Sequence, residues 1–349
     1  MDQQTKKNIV AFLKQKGLML RGGGGDILLL ARGGSDRNFY RVETGNGSFV
    51  VMTAPSFCYE IRAYLDVGAY LFKCGVAVPE IIAYDDMRQL VLLEDLGDLS
   101  LYAQLQQAKT RQEVAGHYRE VLAFLAGMQL KATSAIGTCT YLKHRCFGYE
   151  ALRWETDYFL ECFVGRLCGI TGFNERALEE ELHGLASSIT NEPKYFMHRD
   201  FQSRNIYFKN GRVRVIDFQT ATQGLLQYDL ASLLKDAYFI LGSNEINDLV
   251  LFYIAALEKE TGRQVNRDSF VAMFHCAGLQ RNMQALGAFA FLSMNKGKTE
   301  FLQHIPAALS CLREGLSFTH ELPVLKDIVE QSGHKVLAEK VLEKISAEQ

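Results

Sequence analysis

Positions 27–53 alternate between apolar and polar residues, and glycine-rich turns cut the alternation into three pieces. ILLLAR leads through GGSD to NFYRVET, and GNG then leads to SFVVMT. A period of two sends successive side chains to opposite faces of a strand, so the three pieces predict an antiparallel meander. From Cys58 to Gly75 the apolar spacing becomes helical, in CYEIRAYLDVGAYLFKCG, with Gly75 as the C-cap. VPEIIAYD and QLVLLEDLGD add two further strand-like runs.

From about Leu99 the pattern changes. HYREVLAFLAGMQLKA, ALRWETDYFLECFVGRL, DLASLLKDAYFIL and DLVLFYIAALEKE all carry helical spacing. One β-rich stretch interrupts them, NIYFKNGRVRVIDF, whose Asn210-Gly211 pair between alternating runs is a strong hairpin signal. The N-terminal MDQQTKKNIVAFLKQKG reads as a short amphipathic helix without the continuous apolar region of a signal peptide. The fold class is therefore α+β. A small β-rich N-lobe over residues 1–97 precedes a large, mainly helical C-lobe over 98–349.

Composition narrows the picture. A chain of 349 residues with 48% hydrophobic and 22% charged residues is a well-packed globule. A net charge of −2 argues against a nucleic-acid or membrane-surface partner, which would call for a basic excess. No run approaches the ~18 apolar residues of a membrane span. The eight cysteines show neither a CxxC pair nor zinc-ligand spacing, so they read as reduced, small hydrophobes. Together these features lead us to expect a cytoplasmic protein.

The candidate chemistry sits in MHRDFQSRN, Met197 to Asn205, followed by the hairpin and VIDFQ. His198-Arg199-Asp200, four residues and then Asn205 form H-R-D-x-x-x-x-N, and the hairpin delivers Asp217. Phosphoryl transfer asks a protein for a carboxylate beside the attacking hydroxyl, ligands for Mg²⁺ and a cradle for phosphates. Asp200 suits the first task. The Asn205 amide oxygen and the Asp217 carboxylate suit a hard cation. The hairpin explains the spacing, because its first strand starts beside Asn205 and its second ends at Asp217. His198 and Arg199 read as supports of the loop.

These motifs resemble the kinase-like phosphotransferases that include aminoglycoside and choline kinases. SDRNFYRV, VVMTAP, LLEDLGD, HRDFQSRN, VIDFQTA, YDLASLLKDAY and LQRNMQALGAFAFL carry the resemblance along most of the chain. Within that family they are most similar to the bacterial anomeric sugar kinases acting on N-acetylmuramic acid and N-acetylglucosamine. The resemblance implies a two-lobed protein-kinase-like fold, ATP and Mg²⁺ as cofactors, and a sugar or other small alcohol as acceptor. It makes Asp200 the catalytic base and Asn205 and Asp217 the magnesium ligands. It also makes Glu94 and Leu96 part of an adenine-binding hinge, and Asp229 a structural support behind the catalytic loop.

Two departures from the usual kinase pattern stand out. The phosphate loop is Gly33-Gly34-Ser35-Asp36-Arg37, with two adjacent glycines in place of G-x-G-x-x-G. Its amides and the Ser35 hydroxyl suit phosphate, although a plain β-turn needs the same residues. The third strand reads SFVVMTAP, with Met52 where a lysine is expected and Glu60 left as a helix glutamate without its partner. Arg37, Arg41 and Arg204 are the candidate replacements for that charge.

The acceptor site has Glu155, Asp157 and Arg281 as candidates, the last for a substrate carboxylate or an internal acid. Trp154, the only tryptophan, reads as core packing. Two rival readings stand beside the sugar kinase: a kinase for another alcohol, such as an aminoglycoside or a choline-like compound, and a nucleotide-binding pseudokinase scaffold suggested by Met52.

Overall fold

The computed structural model describes residues 1–21, 27–32, 37–54, 59–319 and 321–338. It opens with helix α1 (Gln3–Gln15), capped by Asp2, whose side chain accepts from the Thr5 amide at 2.8 Å. Strands β1 (Ile27–Arg32), β2 (Asn38–Thr44) and β3 (Gly47–Thr53) follow, then helix α2 (Tyr59–Lys73), then β4 (Ile81–Asp85) and β5 (Leu90–Glu94). All five strands form one antiparallel sheet in the order β1-β2-β3-β5-β4.

Strand alternation decides what each face of this sheet buries. Tyr40, Val42, Val51, Leu90 and Leu92 pack with Ile9, Phe12 and Leu13 of α1. Val50, Met52, Val91 and Leu93 turn the other way and pack with Ile61, Tyr64 and Val67 of α2 in the larger core. Helix α2 comes very close to the C-terminal half. A Cβ on Gly68 would stand 2.8 Å from Ile81 Cδ1 and 3.1 Å from the Phe218 ring. One turn away, Tyr64 stacks on Phe218 with centroids 4.6 Å apart. The residue after Asp217 therefore anchors α2.

The rest of the chain is mainly helical. It comprises α3 (Leu101–Gln107), α4 (Arg111–Ser134), α5 (Tyr149–Tyr158) with a π-helical continuation over Phe159–Leu167, and α6 (Glu175–Thr190). Four short strands come next, β6 (Tyr195–Met197), β7 (Ile206–Lys209), β8 (Arg212–Val215) and β9 (Thr222–Gly224). Helices α7 (Leu226–Leu234), α8 (Ser243–Thr261), α9 (Arg267–Lys296), α10 (Ile305–Leu316) and α11 (Pro323–Ala338) complete it. Helix α9 packs against α5, α7 and α10. Among the described residues, no helix is long and apolar enough to cross a membrane.

The expected hairpin is β7–β8, with Ile206 opposite Val215 and Lys209 opposite Arg212. Its two turn residues, Asn210 and Gly211, both have positive φ (52° and 67°), as a type I′ turn requires. DLASLLKDAYFIL is corrected: the helix stops at Leu234 instead of running to Leu241. The cause is local. The Asp236 carboxylate takes the Tyr238 amide at 3.0 Å, and such side-chain bonds to the backbone compete with helix continuation.

Candidate active site

Strand β6 ends at Met197 and hands the chain to a loop held from below by two buried acids. Asp229, fully buried on α7, accepts the backbone amides of His198 and Arg199, each at 2.8 Å, and the Gln129 side chain at 3.2 Å. Burial pushes its carboxyl up to about 7, against the opposite pull of these donors. Arg199 has φ 79°, a left-handed conformation unfavourable for a residue with a Cβ. The paired amides hold it there. Asp236 grips the loop further along, accepting the Ser203 amide (2.9 Å) and hydroxyl (2.6 Å).

His198 ties this loop to the hairpin. Its Nε2 lies 3.0 Å from the Ile216 carbonyl, which can only accept, so Nε2 carries the proton. Burial lowers the pKa of the ring, which stays neutral. Ile216 is also joined to Asn205 across the open end of the hairpin, through its amide to the Asn205 carbonyl at 3.0 Å. Asn205 and Asp217 are thereby brought to one end. The Asn205 Nδ2 donates to the Asp200 carbonyl at 2.9 Å, which turns its amide oxygen the other way. Asp217 has φ 66°, and its Oδ1 accepts from Gln219 at 3.0 Å. Asp200 Oδ2 accepts from the Thr220 hydroxyl at 3.1 Å.

A cavity of about 200 Å³ opens between this loop and the sheet. Phe39 and Leu93 line it from the sheet, Leu96 from the connection, and Asn205, Ile216 and Asp217 from the hairpin. The Glu94 side chain is engaged at the cavity edge, by Lys209 at 2.8 Å and by the Glu80 amide at 3.2 Å. Lys209 also donates to the Asp95 carbonyl at 2.7 Å. Gly33, Gly34 and Ser35 lie outside the described residues.

The three candidate cations part company here. Arg41 is committed to the connection, with Asp95 at 2.7 and 3.0 Å and Asp98 at 2.9 Å. Against the upward push of burial, Arg41 and Ser48 hold the Asp95 carboxyl below the ordinary carboxylate range. Arg204 stacks on Tyr238 at 3.8 Å and on Tyr102 at 5.2 Å. Arg37 alone of the three joins the site. Its Nε meets Glu60 at 3.0 Å and its Nη2 meets Asp217 Oδ1 at 2.9 Å. Met52 is fully buried in the core.

On the other side of Asp200 the acceptor candidates separate as well. Arg281 of α9 brings Nη2 to 4.0 Å from Asp200 Oδ1, held by Ser232 (3.1 Å) and Gln284. Glu155 is fully buried. Arg199 (3.2 Å), Tyr228 (3.1 and 3.0 Å) and Gln280 (3.2 Å) engage its carboxylate. Burial raises its pKa, and these partners partly offset the rise. Asp157 lies outside, paired with Arg153 at 3.3 Å. The expectation for Trp154 is corrected: it is 56% exposed and stacks on Tyr158, with centroids 5.0 Å apart. The buried face of α5 and its continuation runs through Leu152, Thr156 and Phe159, and Glu155 falls on it at helical spacing. The tryptophan falls beside it.

Sequence reasoning missed Thr220, Gln129 and Asp236. None of the three left a signal of its own, and Asp236 lies just past the end of α7 at Leu234.

Comparison with known proteins agrees with this fold. The sequence profile of the phosphotransferase enzyme family matches residues 26–265. An N-acetylmuramate/N-acetylglucosamine kinase of Neisseria meningitidis is 32% identical over 296 residues, covering 82% of this chain and 85% of that protein. An ADP-bound aminoglycoside phosphotransferase superposes with a TM-score of 0.59 at 13% identity, over 90% of this chain and 99% of that one. A choline/ethanolamine kinase family protein from Mesorhizobium loti gives 0.59 at 12% identity, over 90% and 94%. The two solved structures share the two-lobed kinase-like fold.

Proposed function

The chain belongs to the phosphotransferase enzyme family, and from that premise we propose that it transfers the γ-phosphoryl group of ATP to the anomeric hydroxyl of an amino sugar. N-acetylmuramate and N-acetylglucosamine are the acceptors that the Neisseria relative's name suggests, and cell-wall recycling is the process such a kinase would serve. The observation that carries the reading is the convergence of Asp200, Asn205 and Asp217 on one loop and hairpin end, with Asn205 and Asp217 on the wall of a cavity between sheet and helices.

Each residue then has a task. The acceptor hydroxyl lies against Asp200, which takes its proton as the new P–O bond forms and the bond from the γ-phosphorus to the bridging oxygen breaks, releasing ADP. Thr220 fixes one carboxylate oxygen of Asp200, and Arg281 stands beside the other. That guanidinium is placed to orient the sugar. Adenine lies against Leu93, Leu96 and Ile216, with main-chain groups around Glu94 and Leu96 reading its edge. Asn205 and Asp217 would hold Mg²⁺. The fit is supported by an amide whose nitrogen is already spent on the Asp200 carbonyl and by a carboxylate on the cavity wall. Among the described residues no cluster of three His, Cys, Asp or Glu forms a closed metal cage, and Mg²⁺ in kinases completes its shell with phosphate oxygens and water. When bound, the ion neutralises charge on the phosphates.

The test is ATP consumption with Mg²⁺ across a panel of amino sugars, aminoglycosides and choline-like alcohols, with the product position read by phosphorus NMR. Phosphorylation at the sugar anomeric carbon is expected. Turnover of only the other alcohols would overturn the acceptor, and silence across the panel would overturn the reaction. Asp200→Asn should cut turnover by about 10²–10⁴-fold while leaving nucleotide binding in place. Wild-type turnover in that variant would remove Asp200 from the role of base.

A further inference from the structure

The phosphate-facing wall lacks the lysine that kinases place on the third strand, and Met52 in its place is buried among Val91, Leu93 and Tyr64. A thioether carries no charge to set against phosphate. The charge has not vanished from the region. Phe39 pairs directly with Met52 across β2 and β3, and Arg37 lies two residues before Phe39. Its side chain is only 5% exposed, and it joins Glu60 of α2 to Asp217 at 3.0 and 2.9 Å. Glu60 itself is 41% exposed. Helix α2 is held independently of this pair, through Gly68 and Tyr64 against Phe218. The two ion pairs are therefore not what docks the helix.

We propose that Arg37 supplies the positive charge for the nucleotide phosphates in place of the third-strand lysine, and that it shares Asp217 with the metal. The inference rests on the phosphotransfer reading and deepens it. A guanidinium is a planar fork that matches phosphate oxygens, and it stays charged when desolvated. In the structure that fork covers Oδ1 of a carboxylate assigned above to Mg²⁺. Two cations competing for one oxygen weaken each other, so Arg37 holds the free protein's affinity for a bare divalent ion down. When a nucleotide arrives with its metal, the phosphates accept the guanidinium and the carboxylate passes to the ion. Glu60 keeps the arginine within reach throughout. Arg41 and Arg204 do not compete for this role, because one is bound to Asp95 and Asp98 and the other is stacked between two tyrosines.

The prediction has two opposite signs, which a merely structural arginine would not give. In Arg37→Met, calorimetric titration with AMP-PNP and Mg²⁺ should show affinity lowered about tenfold or more, the equivalent of one lost charge-assisted hydrogen bond. Electron paramagnetic resonance with Mn²⁺ alone should show affinity raised severalfold. Arg37→Lys should recover part of the nucleotide affinity. The proposal is overturned if folded Arg37→Met binds AMP-PNP as the wild type does, or if both ligands weaken together. Should Arg37→Met fail to fold, Arg37→Gln carries the same two measurements. A wild-type protein that bound no AMP-PNP would overturn the phosphotransfer reading instead, which separates the two failures.

Discussion

The two walls of the cleft are built on different principles. On the helical side, Asp200, Asn205 and Asp217 owe their positions to backbone: a loop whose amides are gripped by Asp229 and Asp236, and a hairpin whose turn fixes its register. On the sheet side, the group that reaches Asp217 is a long, charged side chain, that of Arg37, just ahead of β2. A motif built on backbone geometry has few sequence solutions. A charge has many, since any stem that ends in the right place will serve. The comparison teaches that the helical wall should fail by losing structure and the sheet wall by losing affinity.

The largest break should come from Asp229→Ala, which leaves two buried amides without acceptors at about 1–3 kcal/mol each. Urea unfolding should report a loss of about 3 kcal/mol or more. A loss no greater than that of a sheet-wall variant would collapse the comparison. Next comes a pH effect of the same residue. Its folded pKa of about 7 lies above the ordinary carboxyl value, so its contribution is full below a pH of about 4 and is lost as pH rises through about 7. The stability of the wild type relative to Asp229→Asn should therefore fall between pH 5 and pH 7, at up to about 1.4 kcal/mol per pH unit. A gap that widened with pH would reverse the assignment. Arg41→Met should cost about 1 kcal/mol, since its pairs with Asp95 and Asp98 are only partly buried, while the KM for ATP rises as the connection loosens. The smallest effect belongs to Trp154→Ala, which should change stability by no more than about 0.5 kcal/mol because the ring is mostly exposed.

The same division explains what could be read in advance. The five strands, α2 and the β7–β8 turn all follow from local periodicity and from turn residues with a mechanism, and the structure has each of them. The convergence of Asn205 and Asp217 was legible because a hairpin converts sequence spacing into distance. Trp154 was misjudged because residue type was weighed above phase. The helical stripe carries the glutamate inward, where Arg199, Tyr228 and Gln280 satisfy it, and leaves the indole outside. The early stop of α7 depends on one carboxylate capturing the Tyr238 amide, a contact that periodicity cannot register. The choice among Arg37, Arg41 and Arg204 was closed to sequence altogether, because it turns on which acids lie across the cleft, from 23 to 180 residues away for Arg37.

The β7–β8 hairpin also sets a rule of parity. Its turn points away from the chemistry, and its open end carries Asn205 and Asp217. Strand residues alternate sides, so adding or removing one residue on each arm at once keeps the register of the open end. A paired insertion at Asn210-Gly211 lengthens the turn end and leaves Asn205 opposite Ile216, with Asp217 next in line. A single insertion in either arm turns one of them to the opposite side. Length in this segment is thus free to change in pairs.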